Sequence, residues 1–196
     1  MFAATPPYDG TLARYYRLPA DLAYPLPENL TLEDGAMVIS TQISELALIF
    51  HPQIEPLSVG VHSVANLGGF RSGQSIAIFG CGPVGLLCMA VAKALGAQRI
   101  IAVDIVPQRL EFSKSYAATD TYLPPKPLEG ETKFDYSKRN AEQMKQQLNI
   151  QDRGTNKIDL VIDASGAEVS IQTAIHIVKT GGTFVQVCNG IYSFES

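Results

Sequence analysis

The sequence predicts an α/β fold, a doubly wound parallel sheet, and three observations carry that prediction. From Ser75 to Val187, short apolar runs alternate with helical stretches, the rhythm of parallel strands joined by helical crossovers. The runs, Ile76-Ala77-Ile78-Phe79 first among them, are continuously apolar, as strands buried on both faces require. Between that run and the first helix lies a glycine-rich turn, Gly80-Cys81-Gly82-Pro83-Val84-Gly85.

Composition sets the frame. The chain has 196 residues, 46% hydrophobic and 17% charged, with a formal net charge of -4. Such a chain holds one domain with attachments and enough apolar surface for a sizeable core. The mild acidity, with no cluster of Lys or Arg, argues against a nucleic-acid partner. Cys81, Cys88 and Cys188 are odd in number and scattered, which excludes a disulfide scaffold and a CxxC zinc site. The opening MFAATPPYDG has neither a basic nor an apolar segment of a signal peptide. The longest apolar run, Leu86 to Ala92, is far short of the ~20 residues that cross a bilayer. A soluble, cytoplasmic chain with no membrane partner is the expectation.

The elements follow in order. Residues 1–30 carry Pro6, Pro7, Pro19, Pro25 and Pro27, a density that suits irregular β structure at a sheet edge. Thr31-Leu32-Glu33-Asp34 has the spacing of a capping box and should open a helix. Val38 to Gln53 fits a helix ended by Pro52, or a short strand. Ile54 to Leu67 reads as mostly helical. After the first strand, Gly82 to Leu95 is a helix apolar on nearly every face, stopped at Gly96. Ile100 to Val103 is the second strand, Gln108 to Ala117 the second helix, and Thr121 to Leu123 a short third strand. A Pro124-Pro125-Lys126-Pro127 loop precedes a polar helix over Ser137 to Leu148. Ile158 to Ile162 is the fourth strand, Glu168 to Val178 a helix, and Thr183 to Val187 the fifth strand.

The glycine turn carries chemistry because of its place. A lone GxGxxG string is weak; one that follows a buried strand and opens a helix is the dinucleotide-binding fingerprint. Gly80 permits the tight turn, Gly82 lets backbone approach a pyrophosphate, and Gly85 lets the helix pack on the strand. The helix N-terminus, with Pro83 in its first turn, offers unpaired N–H groups to phosphate. Asp104 ends the second strand, 19 positions after Gly85, where a carboxylate accepts from the adenosine ribose hydroxyls and repels a 2′-phosphate. NAD is therefore favoured over NADP. Arg109 lies either against the adenine side or as a solvated helix residue. A methyltransferase shares a glycine-rich turn, but its first strand ends in an acid where Phe79 stands here.

The glycine turn, Ala92-Lys93-Ala94-Leu95-Gly96-Ala97, Val103-Asp104, Glu55-Pro56-Leu57-Ser58-Val59-Gly60 and Asp163-Ala164-Ser165-Gly166-Ala167-Glu168 together resemble the zinc-dependent medium-chain polyol dehydrogenases, most closely those acting on xylitol. The resemblance covers residues 2–37 and 54–187. It implies a Rossmann domain wrapped by a GroES-like catalytic domain, and NAD-linked oxidation of a polyol secondary alcohol to a ketone at a catalytic zinc. It also carries the possibility of a homo-oligomer. Cofactor-binding roles pass to Gly80, Gly82, Val84, Gly85, Asp104 and Arg109, and a zinc contact, direct or through water, to Glu55.

The resemblance also divides the chain: 1–30 as a remnant of the catalytic domain, 31–67 as a linking helical region, 68–188 as the cofactor domain and 189–196 as an atypical tail. Three departures accompany it. No Cys precedes Cys81 and no His-Glu pair occurs, so the family's zinc ligands lack counterparts. Val38 to Gln53 reads as an insertion. Cys188-Asn189-Gly190-Ile191-Tyr192 replaces the expected turn, leaving five recognisable strands and no sixth. Truncation at both ends and an inactive NAD-binding module are the corresponding expectations. His51, His62 and His176 read as ordinary histidines, Cys88 as packing, and Lys138-Arg139 as a solvated face. Asp163 to Gly166 reads as cofactor cleft or as a plain strand-to-helix turn.

Overall fold

The computed structural model describes Arg14, Tyr15, Ala20 and residues 54–188. The expectations for the rest of 1–53, including the capped helix at Thr31 and the stretch Val38 to Gln53, lie outside the described residues, as do those for 189–196.

Among the described residues, α1 (Ile54–Val61) runs into a π-helical turn over His62–Leu67. The chain then alternates β1 (Ser75–Phe79), α2 (Pro83–Ala94), β2 (Arg99–Val103), α3 (Pro107–Tyr116), β3 (Asp120–Tyr122), α4 (Lys133–Leu148), β4 (Leu160–Asp163), α5 (Glu168–Ile177) and β5 (Thr183–Gln186). The five strands form one sheet in the order β3-β2-β1-β4-β5, and every pairing is parallel. The order reverses between β1 and β4, so the crevice at their carboxyl ends is the place where such sheets bind ligands.

Each strand of the centre is buried on both faces because helices cover both. Ile76 and Ile78 pack with Leu86, Met89, Ile100, Leu110 and Leu160 on the side of α2 and α3. Ala77 and Phe79 pack with Ile101, Met144, Val161, Ala174 and Ile177 on the side of α4 and α5. The alternation along β1 thus divides one apolar run between two cores.

Most boundaries fall within a residue of expectation; the start of α4 and the starts of β4 and β3 show the local chemistry that places them. Helix α4 begins at Lys133, four residues before Ser137, because the Thr132 side chain caps it, accepting from the Asp135 N–H at 3.1 Å. Its far end is closed by Asn149 in the left-handed conformation (φ 50°). Strand β4 begins at Leu160; just before it, Asp159 still pairs through its backbone with Ser75 and Thr183, and its carboxylate holds the Ser75 N–H (3.0 Å) and the Lys179 ammonium (2.6 Å). Strand β3 is shifted one residue back, to Asp120–Tyr122, where Asp120 receives Nε and Nη2 of Arg99 at 3.0 and 2.9 Å.

Candidate functional site

The three motif glycines serve three different ends. Gly80 has φ +94°, and a Cβ there would lie 2.8 Å from the Ala164 carbonyl oxygen, so both conformation and space demand glycine. A Cβ on Gly85 would run into the carbonyl oxygen of Gly80, which is the close contact between helix and turn. A Cβ on Gly82 would meet no protein atom within 4 Å. Gly82 thus faces open space at the groove. Gly82 is also the N-cap of α2, followed by Pro83, and the first-turn N–H groups of a helix have no helical acceptors.

The carboxylate at the end of β2 is built into this turn. Asp104 is buried. Its Oδ2 accepts from the Cys81 N–H at 2.7 Å and its Oδ1 from the Val106 N–H at 2.8 Å. Each oxygen retains a lone pair beyond its backbone bond. Arg109, about half exposed, brings Nη1 to 3.9 Å from Asp104 Oδ2, a long pair across which solvent screens much of the attraction.

At the carboxyl end of β4, Asp163 is fully buried and fastens the next turn. It accepts from the Ser165 N–H at 3.1 Å, the Ser165 hydroxyl at 2.6 Å and the Gly166 N–H at 3.2 Å. The Ala164 N–H donates to the Phe79 carbonyl at 2.8 Å, which brings the two turns side by side.

These elements enclose a groove of about 290 Å³ lined by Gly80, Gly82, Asp104, Ile105, Arg109, Pro124, Ala164 and Ser165 among others. Four of the residues marked in the sequence therefore meet at one surface: Gly80, Gly82, Asp104 and Arg109. Val84 does not line it and packs on the core instead, and Gly85 lies beneath, in the helix packing. Glu55 belongs to the first turn of α1, and its side chain lies outside the description. Among the described residues no group of three His, Cys, Asp or Glu side chains converges to hold a metal ion. The described residues thus do not provide a zinc site.

Two features escaped the sequence reading. A second groove of about 770 Å³ adjoins the first and shares Ile105 and Pro124 with it. Its wall is the proline loop, fastened by Tyr136 and Arg139 of α4. Arg139 is no free solvated residue: it holds Glu131 through Nε and Nη2 at 2.6 and 2.7 Å and is half-buried. A single spacing would have exposed the first step of this, since Thr132-Lys133-Phe134-Asp135 carries the capping pattern.

The thiols near the site are neutral. Burial pushes Cys81 up to about 11 and Cys88 up to about 12, so neither offers a thiolate nucleophile or ligand near neutral pH. His62 pairs with Asn66 within its own helical turn, and His176 stands edge-on to Phe134. No helix among the described residues is long and apolar enough to cross a membrane.

With this geometry in view, comparison with known proteins gives a consistent result. The family model for zinc-binding dehydrogenases matches residues 83–193, more than half of the chain. D-xylulose reductase A of Aspergillus niger is 49% identical over 185 residues, covering 94% of this chain and 44% of the relative. Among solved structures, an oxidoreductase/dehydrogenase of unknown specificity involved in membrane biogenesis from Escherichia coli superposes with a TM-score of 0.66. It is 26% identical, with 98% of this chain and 46% of that one covered. Alcohol dehydrogenase TADH from Thermus sp. ATN1 gives a TM-score of 0.56 at 27% identity, covering 87% of this chain and 40% of that one. The chain spans less than half the length of the curated relatives it matches. Glycine turn, strand order, crevice and family match agree: the chain belongs to the zinc-binding dehydrogenase family.

Proposed function

We propose that the chain binds NAD(H) in the crevice between β1 and β4. It is then the cofactor-binding part of a dehydrogenase that oxidises a polyol secondary alcohol, with xylitol and D-xylulose as the pair suggested by its relatives. The observation that carries the reading is Gly82: the fold leaves its Cβ position empty of protein while both neighbouring turns are fastened around it. NAD, when bound, supplies the hydride acceptor for the alcohol carbon.

The chain's own residues bind and orient. The N-terminus of α2 and the backbone at Gly82 take the pyrophosphate. Asp104 accepts from the adenosine ribose hydroxyls with the lone pairs its backbone bonds leave free. Its negative charge discriminates against a 2′-phosphate, so NAD(H) is preferred to NADP(H). Arg109 lies over the same end of the crevice. Glu55 is the remaining candidate for a zinc contact, from α1. Homo-oligomer formation is the further expectation that the family resemblance carries.

For the 196-residue chain taken by itself, a second reading is a dinucleotide-binding module without turnover. It is favoured by the sequence, which holds no Cys before Cys81 and no His-Glu pair. One experiment separates the two. The purified chain is titrated calorimetrically with NAD, then mixed with NAD, xylitol and zinc while nicotinamide absorbance is followed. Binding with turnover supports a polyol dehydrogenase; binding without turnover supports the module. Absence of any NAD binding would overturn the cofactor assignment.

A further inference from the structure

The proline loop walls the adenosine end of the crevice, yet it has almost nothing with which to hold itself. Pro124, Pro125 and Pro127 have no N–H, so this stretch offers only the Lys126 donor. Its position is set from outside, through its carbonyl groups. The Tyr136 hydroxyl donates to the Pro125 carbonyl at 2.8 Å. Arg139 Nη2 donates to the Lys126 carbonyl at 3.2 Å. The Leu128 N–H, just after the loop, donates to Glu131 Oε2 at 2.9 Å.

Arg139 joins all three anchors. Its fork grips both oxygens of Glu131, a bidentate geometry that fixes direction as well as distance. Its guanidinium carbon stands 5.4 Å from the centre of the Tyr136 ring, within cation–π range. The hydrogen bonds from Arg139, then from Leu128, hold the Glu131 carboxyl down at about 2, so the pair stays charged at any working pH. One residue from the first anchored carbonyl is Pro124, which lines the crevice with Asp104 and Ile105.

We propose that Arg139 is a positioning residue for cofactor binding: through Glu131, Tyr136 and the Lys126 carbonyl, it fixes the proline wall at the adenosine end of the crevice. The inference rests on the NAD reading above. Arg139 touches no cofactor in this account; it acts through Pro124.

The test uses the full chain and 1,N6-etheno-ADP-ribose, whose fluorescence reports both affinity and the mobility of the bound base. Arg139→Gln should bind it about fivefold more weakly, the worth of one well-made hydrogen bond. Its bound base should show lower anisotropy, and Arg139→Lys should recover part of both. Arg99→Gln is the matched control, since it breaks another half-buried Arg–carboxylate pair, at the opposite ends of the strands, and should leave both readouts at parent values. Should Arg139→Gln fail to fold, Tyr136→Phe removes a single anchor and should lower affinity and anisotropy in the same sense. Parent-like affinity and anisotropy in the Arg139 or Tyr136 variant, or equal losses in Arg99→Gln, would overturn the inference. A parent chain that binds no etheno-ADP-ribose would instead overturn the NAD reading, and this inference with it.

Discussion

The Asp104 carboxylate accepts the Cys81 N–H at 2.7 Å, tying the end of the second strand to the middle of the glycine turn that follows the first. The same side chain caps its own turn through the Val106 N–H. One buried acid thus sets the geometry of the glycine turn while lining the crevice. Substituting it disturbs two things, and they can be told apart.

Asp104→Asn keeps the shape but removes the charge and turns an NH2 toward one of the two backbone donors. A donor left facing a donor in a buried place costs about 1–3 kcal/mol, which lowers the melting midpoint. The specific outcome concerns selectivity. NAD affinity should fall about tenfold or more, charge-assisted hydrogen bonds being the stronger kind, while NADP affinity stays level or rises. Calorimetric titration of both cofactors checks it. An unchanged NAD-to-NADP ratio would show that Asp104 does not contact the adenosine ribose.

The glycines make a sharper contrast. Gly82→Ala places a methyl where no protein atom stands within 4 Å, at a backbone φ of -76° that alanine accepts. Thermal stability should stay within about 0.5 kcal/mol of the parent, while NAD affinity falls about tenfold or more because the pyrophosphate no longer approaches the backbone. Gly85→Ala drives its methyl into the Gly80 carbonyl and should cost about 3 kcal/mol or more of stability. Melting curves with and without NAD decide the matter. Parent-like NAD affinity in a well-folded Gly82→Ala chain would place the pyrophosphate elsewhere.

Much of this was legible in the sequence, and the reasons are local. The run Ile76 to Phe79 is short, rich in β-branched and aromatic residues, and ends at a glycine, which marks a strand covered on both faces where the longer apolar run Leu86 to Ala92 marks a helix. The turn role of Gly80 and the packing role of Gly85 were legible because each is a backbone property that nearby chain already implies. The role of Arg139 was not. On a helix with neighbours such as Lys138, Glu142 and Lys145, an arginine looks like one more solvated charge. Its partners are Glu131 and the Lys126 carbonyl of the loop, which no periodicity encodes. The second groove was hidden for the same reason: its walls, Ile105, Pro124 and Val169, come from two separate connections and the first turn of α5. The Val84 side chain packs partly on the core, a direction the motif alone does not encode.

Acid sensitivity should centre on the strand entrances. Arg99 grips the Asp120 carboxylate through two nitrogens, and this, against the opposing effect of burial, holds it below its usual value of 3.8, with the Thr119 hydroxyl assisting. A carboxyl whose pKa is depressed on folding stabilises the native state above its unfolded pKa, near pH 4, and loses that contribution as pH falls below it. Asp120→Asn should therefore lower the melting midpoint at pH 6 and flatten its decline between pH 5 and pH 3. Melting curves across that range test it by the difference from the parent, in which Glu131 and Asp159 also titrate low. Parallel declines in the two chains would show that the Arg99 pair contributes no pH dependence.

The thiols give a final test of how closed the glycine turn is. Cys81 stands between Gly80 and Gly82 yet is 3% exposed, its Sγ directed at the Val103 carbonyl at 3.8 Å. Burial is the main cause of its rise to about 11, opposed by a hydrogen bond with Ser113 and reinforced by the Asp104 charge. At pH 8 a thiol of that pKa is about 0.1% thiolate, and only the thiolate alkylates. Cys88, buried in α2 and pushed to about 12 by burial and then by Cys188, should be slower still. Iodoacetamide applied to the folded chain at pH 8 should leave both unmodified over an hour, and unfolding in urea should expose both, as mass spectrometry of peptides will register. Rapid alkylation of Cys81 in the folded chain would mean that the turn opens often, and a turn that opens often would not hold Gly82 and Asp104 ready for a cofactor.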